Sequence, residues 1–131
     1  MKRTTLLHAE LSEVIARLGH GDLLVIGDAG LPIPDGPRRI DLAVSANVPR
    51  FVDVLAAVLA EMKVEAALIA DEFAPANAGV HAELMRQLHH TPVSTLSHQQ
   101  LKAMTREARA VVRTGEFSPY ANVILRAGVV F

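Results

Sequence analysis

The sequence predicts an α/β fold of three layers, α/β/α, around a mixed, mostly parallel central sheet. Two observations carry this. Short apolar runs of strand character alternate with longer segments whose apolar residues recur at helical spacing, and Gly- and Pro-rich stretches punctuate the crossings. With 131 residues, half of them apolar, the chain has the size of one compact domain, 1–131, and enough apolar surface to fill a core.

The elements follow in order. Over 8–18, Leu11, Val14, Ile15 and Leu18 share a stripe while Ser12, Glu13 and Arg17 fall opposite, which predicts an amphipathic helix. Gly19 is placed to end it in a left-handed conformation, and 22–27 reads as a short buried strand. Residues 28–37 concentrate Gly and Pro, which excludes helix or central strand and predicts a long ordered loop. Residues 40–44 alternate like a half-buried strand, and Pro49 suits the first turn of a helix over 50–62. A strand is expected over 64–70, then a helix over 77–90 with Val80, Leu84, Met85 and Leu88 on one stripe. Residues 93–96 are a further strand, and Ser97 is a good N-cap for a helix over 99–108. Residues 110–114 return to strand character; after a polar turn, 122–126 and 129–131 supply one or two closing strands.

Composition excludes several functions. Thirteen Lys and Arg against fourteen Asp and Glu leave a formal charge of −1, so no basic field exists to hold nucleic acid or an anionic membrane. The absence of Cys excludes disulfides and cysteine nucleophiles and fits a cytoplasmic setting. Glu10 and Glu13 interrupt the N-terminal segment before an apolar core of signal length can form, and no uncharged stretch approaches a membrane span. The slightly positive mean hydropathy then points to a large core or subunit interfaces.

The residues that can carry chemistry are few. Asp28 ends the first strand, where α/β folds bind ligands, and can hydrogen-bond ligand hydroxyls or simply close a turn. His20 follows a helix C-terminus, whose partial negative charge suits a group that holds and donates a proton; it can equally cap the last carbonyls. His98 stands at another helix start, as a ligand or as a surface first-turn residue. Tyr120 and Asn122 are two apart, so in an extended segment they face one side and can converge on a ligand, or else cover the core edge and close a turn. His8, His81, His89 and His90 read as solvated surface, without metal-ligand spacing. Gly27-Asp28-Ala29-Gly30 lacks the glycine pattern of a dinucleotide fold and the Lys-Ser/Thr of a phosphate loop. No metal and no cofactor are expected.

Five spaced segments resemble one family. Leu18-Gly19-His20-Gly21-Asp22, Asp28-Ala29-Gly30-Leu31-Pro32-Ile33-Pro34, Arg39-Ile40-Asp41-Leu42, Arg113-Thr114-Gly115-Glu116 and Ser118-Pro119-Tyr120-Ala121-Asn122, with the ending Ala127-Gly128-Val129-Val130-Phe131, are similar to the D-ribose pyranase family, related to L-fucose mutarotase. The resemblance implies a cytoplasmic isomerase that interconverts pyranose and furanose D-ribose without a cofactor. Its proton donor falls on His20 and its sugar-binding positions on Asp28, His98, Tyr120, Ala121 and Asn122. Ring opening also needs a base at the anomeric hydroxyl, and apart from the resemblance His98 is a candidate for it. The resemblance further implies a homo-oligomer, commonly a decamer of two stacked pentamers with sites at subunit boundaries. The sequence departs from the family's usual residues at His8-Ala9 and Gly21, and matches it poorly from Ala74 to His90. A mutarotase of fucose-type sugars and a non-catalytic sugar-binding partner of a transporter are the alternative readings.

Overall fold

The apolar runs assemble into one six-stranded sheet in the computed structural model, which describes residues 1–131. The strands are β1 (Leu23–Gly27), β2 (Arg38–Asp41), β3 (Val64–Ala70), β4 (Val93–Leu96), β5 (Ala110–Arg113) and β6 (Val123–Ala127), in the spatial order β2-β5-β1-β6-β3-β4. β5 runs parallel to β1 and β2, and β3 runs parallel to β4. β6 is antiparallel to both β1 and β3. Five strands therefore end at one edge of the sheet, and only the reversed β6 begins there. This is the mixed, mostly parallel sheet expected from the sequence.

Period-two alternation sorts each strand's side chains to two faces. Leu24 and Ile26 of β1 join Val123 and Leu125 of β6 in a large cluster with four helices: α1 (Ala9–Arg17), α2 (Phe51–Leu59), α3 (Phe73–Ala76) and α4 (Ala78–Gln87). Phe51 of α2 and Phe73 of α3, both fully buried, meet edge to face at 6.2 Å. On the opposite face Leu23, Val25, Val111 and Ile124 pack with Leu31 of the long loop and Leu101 of α5 (His98–Met104). All five β1 residues are buried because both faces of this central strand are covered.

Several boundaries differ from expectation, each for a local reason. The left-handed residue after α1 is Gly21 (φ 86°), not Gly19: Leu18 is already extended, and the Asp22 carboxylate takes the Gly19 N–H at 2.8 Å, which moves the sharp bend two residues on. Pro49 lies outside α2, whose N-cap is Arg50. β2 stops at Asp41 because the Asp41 side chain turns back to accept the Ala43 N–H at 3.1 Å. The helix expected over 77–90 begins earlier as α3 and is interrupted at Asn77, whose backbone leaves helical geometry (φ −149°, ψ 61°) before α4. α5 starts at His98, fixed by a capping box in which Ser97 and Gln100 satisfy each other's backbone N–H, and it tightens into a 3₁₀ turn over Thr105–Glu107. Residues 129–131 form no strand.

Candidate functional site

The edge where five strands end collects most of the candidate residues. Asp28 follows β1, and Asn122 precedes β6, the strand beside it. Asn122 is fully buried; its Oδ1 accepts the Asp28 N–H at 2.8 Å, while its Nδ2 has no partner within the chain. Gly27 permits this approach, because a Cβ there would stand 3.1 Å from Asn122 Oδ1 and 2.6 Å from the Leu31 side chain. Asp28 Oδ1 accepts the Gly30 N–H at 2.8 Å, so the carboxylate orders the loop that carries it. Residues 120–122 are not extended: Tyr120 is left-handed (φ 59°), and its ring meets the imidazole of His98 edge to face at 5.0 Å. Tyr120 and Asn122 thus reach this edge through a turn rather than through strand alternation. Ala121 between them is buried. The His98 N–H donates to the Glu72 carboxylate at 3.1 Å, and His98 Nδ1 is buried without a partner.

A second set of residues, which no sequence pattern marks, holds this edge in shape. The Thr114 hydroxyl donates to the Gly27 carbonyl at 2.8 Å and Arg113 Nε donates to the Ala29 carbonyl at 3.0 Å, so the last residue of β5 and the one after it fix both sides of Asp28. Glu116 is buried at the N-terminus of α2, where Oε1 accepts the Phe51 N–H at 2.9 Å and Oε2 accepts the Ser118 hydroxyl at 2.7 Å. Asn77 Nδ2 donates to Ser118 Oγ and to the Pro119 carbonyl, tying the approach to Tyr120 onto the α3–α4 junction. An acidic residue in a polar turn, as Glu116 is, carries no sequence signal that it will be buried against a distant helix end.

His20 lies elsewhere. It precedes β1, so the length of that strand, roughly 16 Å at 3.3 Å per residue, separates it from Asp28. Its side chain is 61% exposed, with Nε2 2.8 Å from Glu65 Oε2 at the start of β3. The turn carrying it is well fixed. The Gly21 N–H donates to the Ala127 carbonyl at 2.8 Å, and Asp22 accepts from the Gly19 N–H and, at 3.1 Å, from Arg109 Nε. The Gly19 N–H foremost, helped by Arg109, holds the Asp22 carboxyl below the usual carboxylate value. Within one chain, then, Asp28, His98, Tyr120, Ala121 and Asn122 gather at one edge of the sheet while His20 stands at the other.

The remaining histidines are accounted for locally. His8 is the N-cap of α1, its Nδ1 accepting the Leu11 N–H; His81 packs on Phe73; His89 and His90 lie against each other. No group of three or more His, Asp or Glu side chains is placed to hold a metal ion. No helix is long and apolar enough to cross a membrane. A groove of about 740 Å³ between α2 and α4 is lined in part by charges that pair with one another, Arg50 with Asp53 and Arg86 with Glu83.

A family model described as the RbsD / FucU transport protein family matches residues 1–130. The chain is 62% identical over 131 residues to a D-ribose pyranase of Paracidovorax citrulli and 59% identical over 131 residues to one of Symbiobacterium thermophilum, covering all of each protein. Its fold superposes on Bacillus subtilis RbsD complexed with D-ribose at a TM-score of 0.96, with 44% identity and full coverage of both chains. A fucose mutarotase from Streptococcus pneumoniae, in complex with L-fucose, shares the fold at a TM-score of 0.78 and 22% identity, over 95% of this chain and 94% of that one. A match that leaves out only the last residue, with relatives above half identity along their whole length, means that this chain belongs to the RbsD / FucU transport protein family.

Proposed function

We propose that the chain is a D-ribose pyranase, an isomerase that interconverts the β-pyranose and β-furanose forms of D-ribose. The observation that carries this reading is the identity of 59% and 62% with D-ribose pyranases over their entire length. The geometry supports it. Two buried polar atoms without partners, Asn122 Nδ2 and His98 Nδ1, stand at the edge that also bears Asp28 and Tyr120, which suits a ligand rich in hydroxyl groups.

The reaction needs only proton movement. His20 gives a proton to the ring oxygen as the bond from that oxygen to the anomeric carbon breaks. The anomeric hydroxyl loses its proton to a base, for which His98 with its unpartnered Nδ1 is the group proposed. The open aldehyde is then attacked by the C4 hydroxyl in place of the C5 hydroxyl, and the two protons return in the opposite sense. Asp28, Tyr120, Ala121 and Asn122 hold the sugar so that the second hydroxyl meets the carbonyl.

His20 sits at the opposite edge from these groups, so one chain does not form the site alone. The carboxyl edge of one copy and the His20 turn of another complete it, in a homo-oligomer that we propose to be a decamer of two stacked pentamers. Exposed apolar residues at both ends support association: Val44, Val48 and Phe117 near the carboxyl edge, and Val130 and Phe131 beyond β6. The reaction so read is a cytoplasmic step acting on free sugar.

NMR saturation transfer on D-ribose tests the reading. Wild-type protein should accelerate exchange between pyranose and furanose resonances, and His20→Ala should lower that acceleration by at least about 10²-fold while keeping its circular dichroism and melting temperature, because the side chain is exposed. Acceleration of L-fucose anomer exchange with none on ribose would make the protein a mutarotase instead; ribose binding without acceleration would make it a binding partner. Wild-type exchange in His20→Ala would remove His20 from the reaction.

A further inference from the structure

Glu65 has an unusual position for a charged residue. It lies in β3, an otherwise apolar run, and in strict alternation with Ala67 and Ile69 it would point into the large core beneath α1 to α4. The β3–β6 pairing departs from strict alternation at this residue. Ala66, Ala67 and Leu68 face Arg126, Leu125 and Ile124 in regular register, but Ala127 faces Val64, so Glu65 is the extra residue of a β-bulge. The bulge turns Val64 onto the core in its place, and Glu65 is exposed. Bulges re-aim single side chains, and this one aims a carboxylate at His20.

Three further features fit a built contact. Glu65 Oε2 is 2.8 Å from His20 Nε2, and Glu65 makes no other ion pair. Gly128 leaves space for it, since a Cβ there would stand 3.0 Å from Glu65 Cβ. The partner backbone is fixed as well: the Gly21 N–H and the Ala127 carbonyl join the His20 turn to the strand end beside the bulge.

Resting on the reading of His20 as proton donor, we infer that Glu65 is a positioning residue that accepts the His20 Nε2–H, fixes the ring's orientation and tautomer, and leaves Nδ1 to exchange protons with the sugar. In the opening step the imidazolium gives its Nδ1 proton to the ring oxygen, whose bond to the anomeric carbon breaks with the electron pair passing to that oxygen. The anomeric hydroxyl proton goes to the base on the facing copy. Neutral His20 keeps its Nε2–H, and its Nδ1 lone pair then takes the proton of the attacking C4 hydroxyl while the base returns its proton to the carbonyl oxygen. A neutral ring protonated at Nδ1 instead could not accept there, which is why the tautomer matters.

The test combines kinetics with nitrogen-15 NMR of the His20 ring. Glu65→Gln keeps the shape of the side chain but can also donate, so it no longer selects one tautomer. Exchange kinetics on D-ribose should show kcat reduced by between about tenfold and 10³-fold, with KM changed by less than about twofold, and Glu65→Asp should recover part of the loss. The wild-type spectrum, taken where the ring is neutral, should show the Nε2–H tautomer, and Glu65→Gln should shift the population toward Nδ1–H. Wild-type kcat in Glu65→Gln, or an Nδ1–H ring in the wild-type protein, would overturn the assignment. Absence of any ribose exchange in wild-type protein would defeat the pyranase reading instead, and the tautomer measurement, which needs no turnover, would still decide the role of Glu65.

Discussion

Asp22 shows how the turn that carries His20 depends on a neighbouring carboxylate. Its carboxylate takes the Gly19 N–H with one oxygen and Arg109 with the other, closing the turn that presents His20. Because its folded pKa is lowered, the stability it contributes is present above the unfolded carboxylate value of about 3.9 and is lost as pH falls through the lower folded value. The difference in unfolding free energy between wild type and Asp22→Ala, measured by urea titration, should be on the order of 1 kcal/mol at neutral pH, because Arg109 is mostly exposed and its share is screened. That difference should hold down to about pH 5 and shrink below about pH 4; a difference that grew on acidification would contradict the assignment. Residue roles were unevenly legible in the sequence. Asp28, His98, Tyr120 and Asn122 stand out as polar groups at strand ends, and the structure brings them to one edge. Glu65 stayed hidden because its bulge exists only once β3 pairs with β6, a contact between segments about half a chain apart.

At the scale of elements, periodic segments were readable and irregular ones were not. β3 and β4 have the bounds that their apolar runs suggest, and α1 and α2 fall within theirs, because period and burial are properties of the segment itself. The loops around residues 44–50 and 114–122 depend on each other. The Gly115 N–H donates to the Pro49 carbonyl, the Asn47 N–H donates to the Gly115 carbonyl, and Asn47 Oδ1 accepts the Phe117 N–H. A Cβ on Gly115 would stand 2.5 Å from the Val48 carbonyl oxygen and 2.6 Å from that of Ser45, both backbone atoms with no freedom to yield. Gly115→Ala should therefore cost more than about 2 kcal/mol and lower the melting temperature by several degrees or more, and it should weaken ribose binding because Glu116, Ser118 and Tyr120 follow directly. A variant as stable as wild type would show that the two loops separate easily. Val48 lies more than sixty residues from Gly115, so no local pattern announces this requirement.

The sheet as a whole decides what one copy can and cannot do. β6 alone runs backwards, and this lets Asn122, at its beginning, stand beside Asp28, at the end of β1. The same arrangement sends the end of β6 to the far edge, where Ala127 anchors the His20 turn. One strand thus ties together both halves of the proposed site and keeps them a strand length apart. The topology was legible as a class, but the separation of His20 from the other candidates was not, since strand order and direction determine it. If a working site needs the His20 turn of one copy and the carboxyl edge of another, mixing two inactive proteins should restore it. His20→Ala and Asn122→Ala, unfolded together and refolded as a mixture, should recover pyranose–furanose exchange in NMR saturation transfer, up to about a quarter of the wild-type rate, since about one interface in four then joins two intact halves. Each variant refolded alone should stay inactive. A mixture no more active than its components, with mixed oligomers shown to form, would contradict a site shared between copies.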